Sequence, residues 1–289
     1  MTAPKTVKVP PQFEDIFSKS EEIVAGYFKN KVEDPTKGTI SVGDERYILI
    51  RAAALSVEFF TIIADFFKDK GEEESQNIAK SILYDLAHAI GIADAESFRK
   101  KMKLEDPIAR LSAGPVHFAY TGQAFVDILP ESKPSADENY FLIYDHPYSF
   151  ESDSWIKRGA KTDMPVCIFN AGYSSGWCEY SFGIPLVAAE IMCRAKGDPC
   201  DRFIMAPPSK IQGYIDQYSK TGEKVSKGTA QRYDIPSFLN RKIQEQMLRE
   251  KNAELERVNK LMIGRELKMA EMKKEIAELE AKVKDKKIA

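Results

Sequence analysis

The sequence predicts a mixed α/β domain of the α+β kind, followed by a long C-terminal helix of coiled-coil type. Three patterns along the 289 residues support this prediction. Apolar residues recur at helical spacing over much of residues 13–111, short apolar runs separated by Gly, Pro and Asp follow between residues 116 and 205, and a heptad pattern occupies residues 236–287. The length allows one large or two small globular domains with a substantial core.

The first part of the chain is predicted to be mainly helical. Residues 1–12 are rich in Pro and Lys and predict a loose arm. A hairpin is predicted at residues 39–50, because Gly43 and Asp44 separate two short runs that suit strands. Helices are predicted at residues 13–31, 51–68, 72–91 (with Gly91 as the C-terminal stop) and 98–111.

The central part is predicted to supply the strands. Six runs rich in β-branched and aromatic residues predict strands at residues 116–120, 124–129, 140–144, 166–170, 186–193 and 202–205. A helix is predicted within residues 174–183. The globular part is predicted to end near residues 211–215, and a polar linker to follow from residue 218 to residue 231.

The C-terminal segment has a heptad seam of Leu255, Val258, Met262, Arg265, Met269, Met272, Ile276, Leu279 and Val283. A single solvated amphipathic helix is the alternative interpretation. A parallel pair would place Lys268 against Lys273 and Glu275 against Glu280, which repel, and Arg265 interrupts the seam. We therefore expect a helix that is marginal alone and depends on a dimeric globular part or on a downstream domain.

Composition excludes several classes of partner. The net charge of −2 gives no overall attraction to nucleic acid or to an anionic membrane. No apolar run approaches the roughly 20 residues that span a bilayer, and Met1–Lys5 lacks the apolar core of a signal peptide. We expect a cytoplasmic protein that binds neither nucleic acid nor membrane.

The four cysteines all lie between positions 167 and 200, which in a cytosolic protein favours metal binding or redox chemistry over disulfides. Cys167, Glu190, Cys193 and Cys200 supply the four ligands of a closed zinc site. Glu190 and Cys193 are three positions apart, so both can bind one ion only if their strand bulges. Ordinary buried cysteines are the alternative, and Cys178, beside Trp177, has the character of one.

Several motifs resemble a known family. Asn170-Ala-Gly-Tyr-Ser-Ser-Gly-Trp-Cys178, Gly183-Ile-Pro185, Ala189-Glu-Ile-Met-Cys-Arg-Ala-Lys-Gly-Asp198 and Phe203-Ile-Met205 resemble the 4-vinyl-reductase-like domain. Upstream, Gly114-Pro-Val-His-Phe-Ala-Tyr-Thr-Gly122 and Tyr144-Asp-His-Pro-Tyr-Ser-Phe-Glu151 resemble the activator-type N-terminal segment of bacterial sensors that respond to phenol, toluene and xylene. Together the motifs cover about residues 38–212.

The resemblance implies a dimeric sensor fold with a structural Zn²⁺ beside an enclosed pocket for a small hydrophobic or aromatic effector. Its metal ligands would be Cys167, Glu190, Cys193 and the cysteine after the Gly-Asp turn. The family's last cysteine usually stands where this chain has Asp201, so Cys200 comes one place early. Either the turn is shortened, or the fourth ligand is Asp201 or water.

The implied pocket would be formed by His117, Phe118, Tyr120, Tyr144, His146, Tyr173 and Trp177. Phe118 and Tyr120 are expected on one face of a strand, with His117 on the other. Phenol sensors of this kind use a histidine where this chain carries Phe118, so His117 and His146 are the nearby substitutes. A structural, hydrogen-bonded role is the alternative for each histidine.

The implied organisation has five parts: an arm and helix (residues 1–37), the activator-type sensor segment (38–150), the zinc-binding 4-vinyl-reductase-like segment (151–215), a linker (216–235) and a heptad signalling helix (236–287). The predicted function is signal transduction, by analogy transcription regulation, in which the effector acts through the helix on a downstream domain or partner. We expect no enzyme, because no dinucleotide or flavin motif is present. The alternatives are a pigment- or tetrapyrrole-handling protein or reductase, and a structural dimerisation adaptor.

Overall fold

The computed structural model describes residues 4–159, 162–220 and 237–288, and it confirms the mixed α/β class and the long C-terminal helix. The chain divides into two compact units, Met1–Ile243 and Gln244–Ala289. The helices are α1 (Glu14–Phe28), α2 (Val57–Phe66), α3 (Glu72–Met102), α4 (Pro107–Thr121), α5 (Phe150–Lys157), α6 (Ile168–Phe182), α7 (Ile211–Ile215) and α8 (Ser237–Ile288). The strands are β1 (Val7–Lys8), β2 (Lys31–Asp34), β3 (Thr39–Val42), β4 (Glu45–Tyr47), β5 (Ala124–Ile128), β6 (Leu142–Ser149), β7 (Val187–Met192) and β8 (Asp201–Ala206).

The main sheet has the strand order β1-β5-β6-β8-β7, in which β1 is parallel to β5 and the other neighbours are antiparallel. A second sheet joins β2, β3 and β4 in an antiparallel meander, which confirms the predicted hairpin. Helix α4 contacts α1, α6 and β5, and α6 contacts α3 and β7. Every residue of β7 and β8 is buried, so these two strands lie in the core.

The start of the chain is not a loose arm. Val7 is fully buried in β1, which pairs with Val126 and Asp127 of β5, and Val9 is also buried. Burial of the two valines offsets the entropy cost of ordering this short segment.

Two predicted strands are helical. Residues 116–120 form the last turns of α4, so His117, Phe118 and Tyr120 do not alternate across a strand. Residues 166–170 lead into α6, which begins at Ile168. The N-terminus of α6 is capped by the buried Glu151 carboxylate, which accepts hydrogen bonds from the backbone N–H groups of Phe169 (2.9 Å) and Asn170 (2.8 Å).

Helix α3 continues past the predicted stop at Gly91 and ends at Met102, and no separate helix spans residues 98–111, because α4 starts at Pro107. Gly91 instead permits close packing. A Cβ there would clash with the backbone carbonyl oxygen of Tyr173 in α6. Gly172 and Gly176 of α6 likewise face the carbonyl oxygens of Tyr84 and His88. The glycines of the α6 motif thus allow α3 and α6 to approach closely.

The second unit contains the rest of α8, and Leu255, Met262 and Met269 of the predicted seam are exposed in it. Pairing of this helix with another chain stays a prediction. The predicted linker of residues 218–231 lies largely outside the described residues. None of the described helices is both long and apolar enough to cross a membrane.

Candidate functional site

Two thiols and two carboxyl groups lie close together in the core, near the β7–β8 connection. Cys167 lies just before α6, Glu190 lies in β7, Cys193 follows β7, and Asp201 begins β8. All four are buried. Ligand atoms of Cys167, Glu190 and Asp201 lie within 4.8 Å of one another. We call these four residues the thiol–carboxyl cluster.

A distortion of β7 brings Glu190 and Cys193 to the same cluster. The register between β7 and β8 shifts between Glu190, which pairs with Phe203, and Met192, which pairs with Arg202. Cys193 Sγ lies 3.9 Å from Ser152 Oγ, which is itself 3.2 Å from Cys167 Sγ. The bulge that the sequence required is therefore present.

Polar neighbours hold the cluster in place. The Ser152 hydroxyl donates to Asp201 Oδ1 at 2.6 Å and lies 3.2 Å from Cys167 Sγ and 3.9 Å from Cys193 Sγ. The Cys167 backbone N–H donates to Glu190 Oε2 at 2.8 Å, and the Arg194 N–H donates to Asp201 Oδ1 at 2.7 Å. Each carboxylate thus has one oxygen fixed by the protein.

The other oxygen of each carboxylate, Glu190 Oε1 and Asp201 Oδ2, is buried with no partner among the described residues. Burial raises the pKa of Glu190 and Cys167 well above their usual values and that of Asp201 to about 7. The hydrogen bond with Cys167 lowers the pKa of Cys193 to about 6. Four acidic groups in one buried volume are unfavourable as anions without a cation. Cys167, Glu190 and Asp201 offer one sulfur and two carboxylate oxygens close enough together to hold one ion, and Cys193 is the candidate fourth ligand of a tetrahedral zinc site.

Cys200 does not join the cluster. It is half-buried, and burial together with the nearby Asp145 carboxylate raises its pKa to about 12. Asp145 itself forms a buried ion pair with Arg202, with 2.7 Å between Oδ1 and Nε. Consecutive residues of an extended chain point to opposite sides, so Cys200 turns away where Asp201 turns in. The structure thus brings Asp201, the alternative ligand, into the cluster in place of Cys200.

A small cavity of about 30 Å³, here called the inner cavity, lies between α4, α6 and the main sheet. Its lining is apolar apart from a few side chains, and most of the lining residues are buried. They are Leu111, Gly114, Pro115, Phe118, Val126, Ile128, Leu142, Tyr144, His146, Tyr173, Ser174, Trp177, Cys178 and Met205.

Five of the seven residues predicted to form a pocket line the inner cavity: Phe118, Tyr144, His146, Tyr173 and Trp177. That they bind a ligand stays a prediction. His117 lines a separate cleft, and Tyr120 lines neither; its ring stacks on that of Phe28, with the two centroids 4.9 Å apart. Sequence reasoning missed Leu111 of α4 and the β5 and β8 residues of the wall. The spacing of Leu111, Gly114, Pro115 and Phe118 would have indicated one helical face, had residues 116–120 been assigned to a helix.

His146 is the most unusual residue of the inner cavity. It is fully buried, and neither ring nitrogen has a hydrogen-bond partner among the described residues. Burial lowers its pKa to about 3, so the imidazole is neutral at physiological pH. His146 pairs with Asp201 across β6 and β8. Residues directly opposite in an antiparallel pair share a face, so the inner cavity adjoins the thiol–carboxyl cluster.

Other polar groups near the inner cavity are satisfied. The Tyr144 hydroxyl lies 2.7 Å from Ser174 Oγ, and the Trp177 indole N–H donates to the Arg110 carbonyl at 2.9 Å. A Cβ on Gly114 would lie 2.9 Å from the indole nitrogen, so glycine is needed there to seat Trp177. Unlike these groups, the two ring nitrogens of His146 have no hydrogen-bond partner among the described residues.

Comparisons with known proteins give a fold but no family. No protein-family model matches the chain, and no curated protein matches it. Fourteen chains of solved structures match. The phenol-responsive sensory domain of the transcription activator PoxR, crystallised with phenol, matches with a TM-score of 0.55 and 21% identity, over 72% of this chain and 96% of that chain. At this identity the match shows a shared fold.

A second solved structure is trafficking protein particle complex subunit 3 from Naegleria fowleri, covalently bound to palmitic acid. It is 12% identical, with a TM-score of 0.36, over 54% of this chain and 93% of that chain.

Proposed function

We propose that this chain is a sensory module that binds a small, largely apolar and aromatic effector in the inner cavity. The proposal is supported by the fold shared with a phenol-responsive sensory domain and by the apolar, aromatic lining of the cavity. The proposed role is regulation of a partner or downstream domain, not catalysis.

The observation that carries the proposal is the unpartnered imidazole of His146. Leaving a buried polar group without a hydrogen bond costs about 1–3 kcal/mol. A neutral imidazole offers one donor and one acceptor nitrogen, so a single hydroxyl on an otherwise apolar ligand would satisfy one of the two. Phe118 and Tyr144, whose ring centroids lie 6.0 and 5.3 Å from that of His146, would contact the ligand's ring.

The thiol–carboxyl cluster would hold a structural Zn²⁺ through Cys167, Cys193, Glu190 and Asp201. Four protein ligands complete a tetrahedral site, so the metal would brace the fold without an open position for chemistry. It would tie the β7–β8 connection to the start of α6, and α6 carries Tyr173 and Trp177 of the inner cavity. Metal and effector would then stabilise the same wall.

The output would be carried by α8, paired in a homodimer. Its exposed residues Leu255, Met262 and Met269 form the seam that a second copy or a downstream helix would cover. Effector binding can change such pairing only if the effector binds two arrangements of the module with different affinity.

The test is a comparison of phenol with toluene on the zinc-loaded full chain. We expect phenol to raise the melting temperature and to bind, by calorimetry, at least tenfold tighter than toluene. In His146→Phe that preference should disappear, because about 1.4 kcal/mol of hydrogen bonding is lost. Tyr120→Phe, outside both cavities, is the matched control. Equal phenol preference in His146→Phe and the wild type, or no response to any aromatic compound, would refute the proposal.

A second candidate function, a dimerisation adaptor without an effector, is favoured by one observation. The inner cavity of about 30 Å³ is much smaller than a typical ligand site of roughly 300–1,000 Å³. An effector would have to displace side chains, whereas an adaptor needs no space. In the adaptor case, the phenol series leaves the melting temperature unchanged while the purified chain is still a dimer.

A further inference from the structure

A second, much larger recess lies on the other side of Tyr173. This outer cleft, of about 560 Å³, is bounded by the segment from β4 to α2, by α3 and by the end of α4. Its volume lies within the typical range of small-molecule sites. Tyr173 belongs to the walls of both the inner cavity and the outer cleft, whereas His117 lines only the cleft.

A chain of hydrogen bonds fixes the protonation of His117. The Tyr173 hydroxyl donates its one proton to Asp94 Oδ2 at 2.6 Å. It can therefore only accept from His117 Nδ1, which lies 3.0 Å away, and Nδ1 must carry the ring proton. Because burial lowers the pKa of His117 to about 3, the ring takes no second proton at neutral pH. Nε2 is consequently a bare hydrogen-bond acceptor.

That acceptor has no partner. His117 Nε2 is buried and makes no hydrogen bond with any described residue. The same is true of Gln123 Oε1, a second acceptor in the wall of the cleft. The wall also includes the apolar segment of residues 48–50, in which Ile48 and Leu49 are exposed, Leu49 to 90%. The outer cleft thus combines an exposed apolar segment with unfilled acceptors.

We propose that the outer cleft is a second ligand site, which binds a neutral amphipathic alcohol or phenol whose hydroxyl donates to His117 Nε2. The apolar body of the ligand would cover Ile48 and Leu49. The ring of Phe98, whose centroid lies 4.7 Å from that of His117, also lines the cleft and would contact the ligand. This site does not depend on effector binding in the inner cavity.

The experiment uses the full chain at pH 8 and two probes that are too large for the inner cavity. The donor probe is 4-cyclohexylphenol, and 4-cyclohexylanisole has the same body without the hydroxyl proton. The chain has three histidines, so long-range ¹⁵N NMR resolves their ring nitrogens individually. We expect 4-cyclohexylphenol to shift the Nε2 resonance of His117 in a saturable way and to leave that of His146 in place.

The anisole should bind roughly tenfold more weakly, the value of one hydrogen bond of about 1.4 kcal/mol. His117→Phe should lose the same factor for the phenol and nothing for the anisole. Equal binding of the two probes to the wild type, or a shift confined to His146, would overturn the proposal. Because the two probes are compared on the wild-type chain, the comparison remains decisive even if His117→Phe fails to fold.

Discussion

The thiol–carboxyl cluster and the inner cavity lie side by side on the main sheet, yet they leave different polar groups unsatisfied. The cluster gathers two thiols and two carboxylates and fixes one oxygen of each carboxylate by hydrogen bonds, so that what it lacks is positive charge. The inner cavity isolates one neutral imidazole among apolar groups, so that what it lacks is a hydrogen-bond partner for the ring nitrogens.

From this difference we expect the cluster to support the fold and the inner cavity to select a ligand. A buried cluster of acidic groups is strongly destabilising until a cation binds, and a metal that binds only the folded state adds its binding energy to stability. An unsatisfied imidazole costs only about 1–3 kcal/mol. Substitutions in the cluster should therefore affect the whole domain, and substitutions in the inner cavity should mainly affect affinity.

The largest effect is expected for Cys167→Ala. It removes a ligand of the proposed zinc ion, and we expect a loss on the order of 5 kcal/mol in the free energy of unfolding, because structural zinc contributes on the order of 10 kcal/mol. Urea denaturation gives the free energy, and elemental analysis of the purified chain gives the zinc content.

Two further variants separate the candidate fourth ligands. Asp201→Asn should lower zinc affinity at least tenfold, since an amide is a weaker ligand than a carboxylate. Cys200→Ser is the matched control and should retain zinc, because Cys200 faces Asp145. The assignment is wrong if Cys200→Ser loses the metal and Asp201→Asn keeps it.

The next effect concerns the α3–α6 contact that supports the wall of the inner cavity. In Gly176→Ala the new methyl would meet the backbone carbonyl of His88, which cannot move without shifting α3. We expect a destabilisation of about 3 kcal/mol, measured by urea denaturation. Gly26→Ala in α1, which meets no atom within 4 Å, should be neutral or slightly stabilising. Similar values for the two variants would show that the close approach is unimportant.

The fold was predictable where sequence pattern and environment agree. The strands near residues 124–129, 186–193 and 202–205 were correctly predicted, because buried central strands read as apolar runs. Residues 116–120 were wrongly predicted to form a strand. Helix α4 packs against α1, α6 and β5 and therefore lacks the polar face that marks a helix in the sequence. Gly91 was wrongly predicted to end a helix, because glycine is favoured both at helix C-termini and where two helices pack closely.

The sequence indicated which kinds of residue form the candidate site, but not which residue of the β7–β8 turn faces it. Cys167 and Glu190 lie together, but spacing could not show how the β7–β8 turn would place Cys200 and Asp201. That turn contains a short 3-10 helix at Arg194–Lys196 and a left-handed Gly197, with φ of 104°. One residue more or less in such a turn exchanges which side chain faces inward.

The next prediction concerns pH and His117. Its folded-state pKa of about 3 lies below its ordinary value of 6.5, so the unfolded chain binds the proton that the folded chain excludes. Stability from this source is complete above pH 6.5 and is lost as the pH falls toward 3, by about 1.4 kcal/mol per pH unit. Between pH 6 and 4, wild type should lose about 2 kcal/mol more than His117→Phe. Parallel pH profiles would contradict this account.

The smallest effect is expected for His146→Phe, which tests whether the unpartnered imidazole lowers the free energy of unfolding when no ligand is bound. In ligand-free protein at pH 8, His146→Phe should stabilise the fold by about 1 kcal/mol, because it removes an unsatisfied polar group from apolar surroundings. Tyr144→Phe, which removes a hydroxyl that is already paired with Ser174 Oγ, should instead destabilise by a similar amount. Urea denaturation measures both. If His146→Phe also destabilises the ligand-free fold, then His146 serves packing, and the inner cavity is built, like the cluster, for stability.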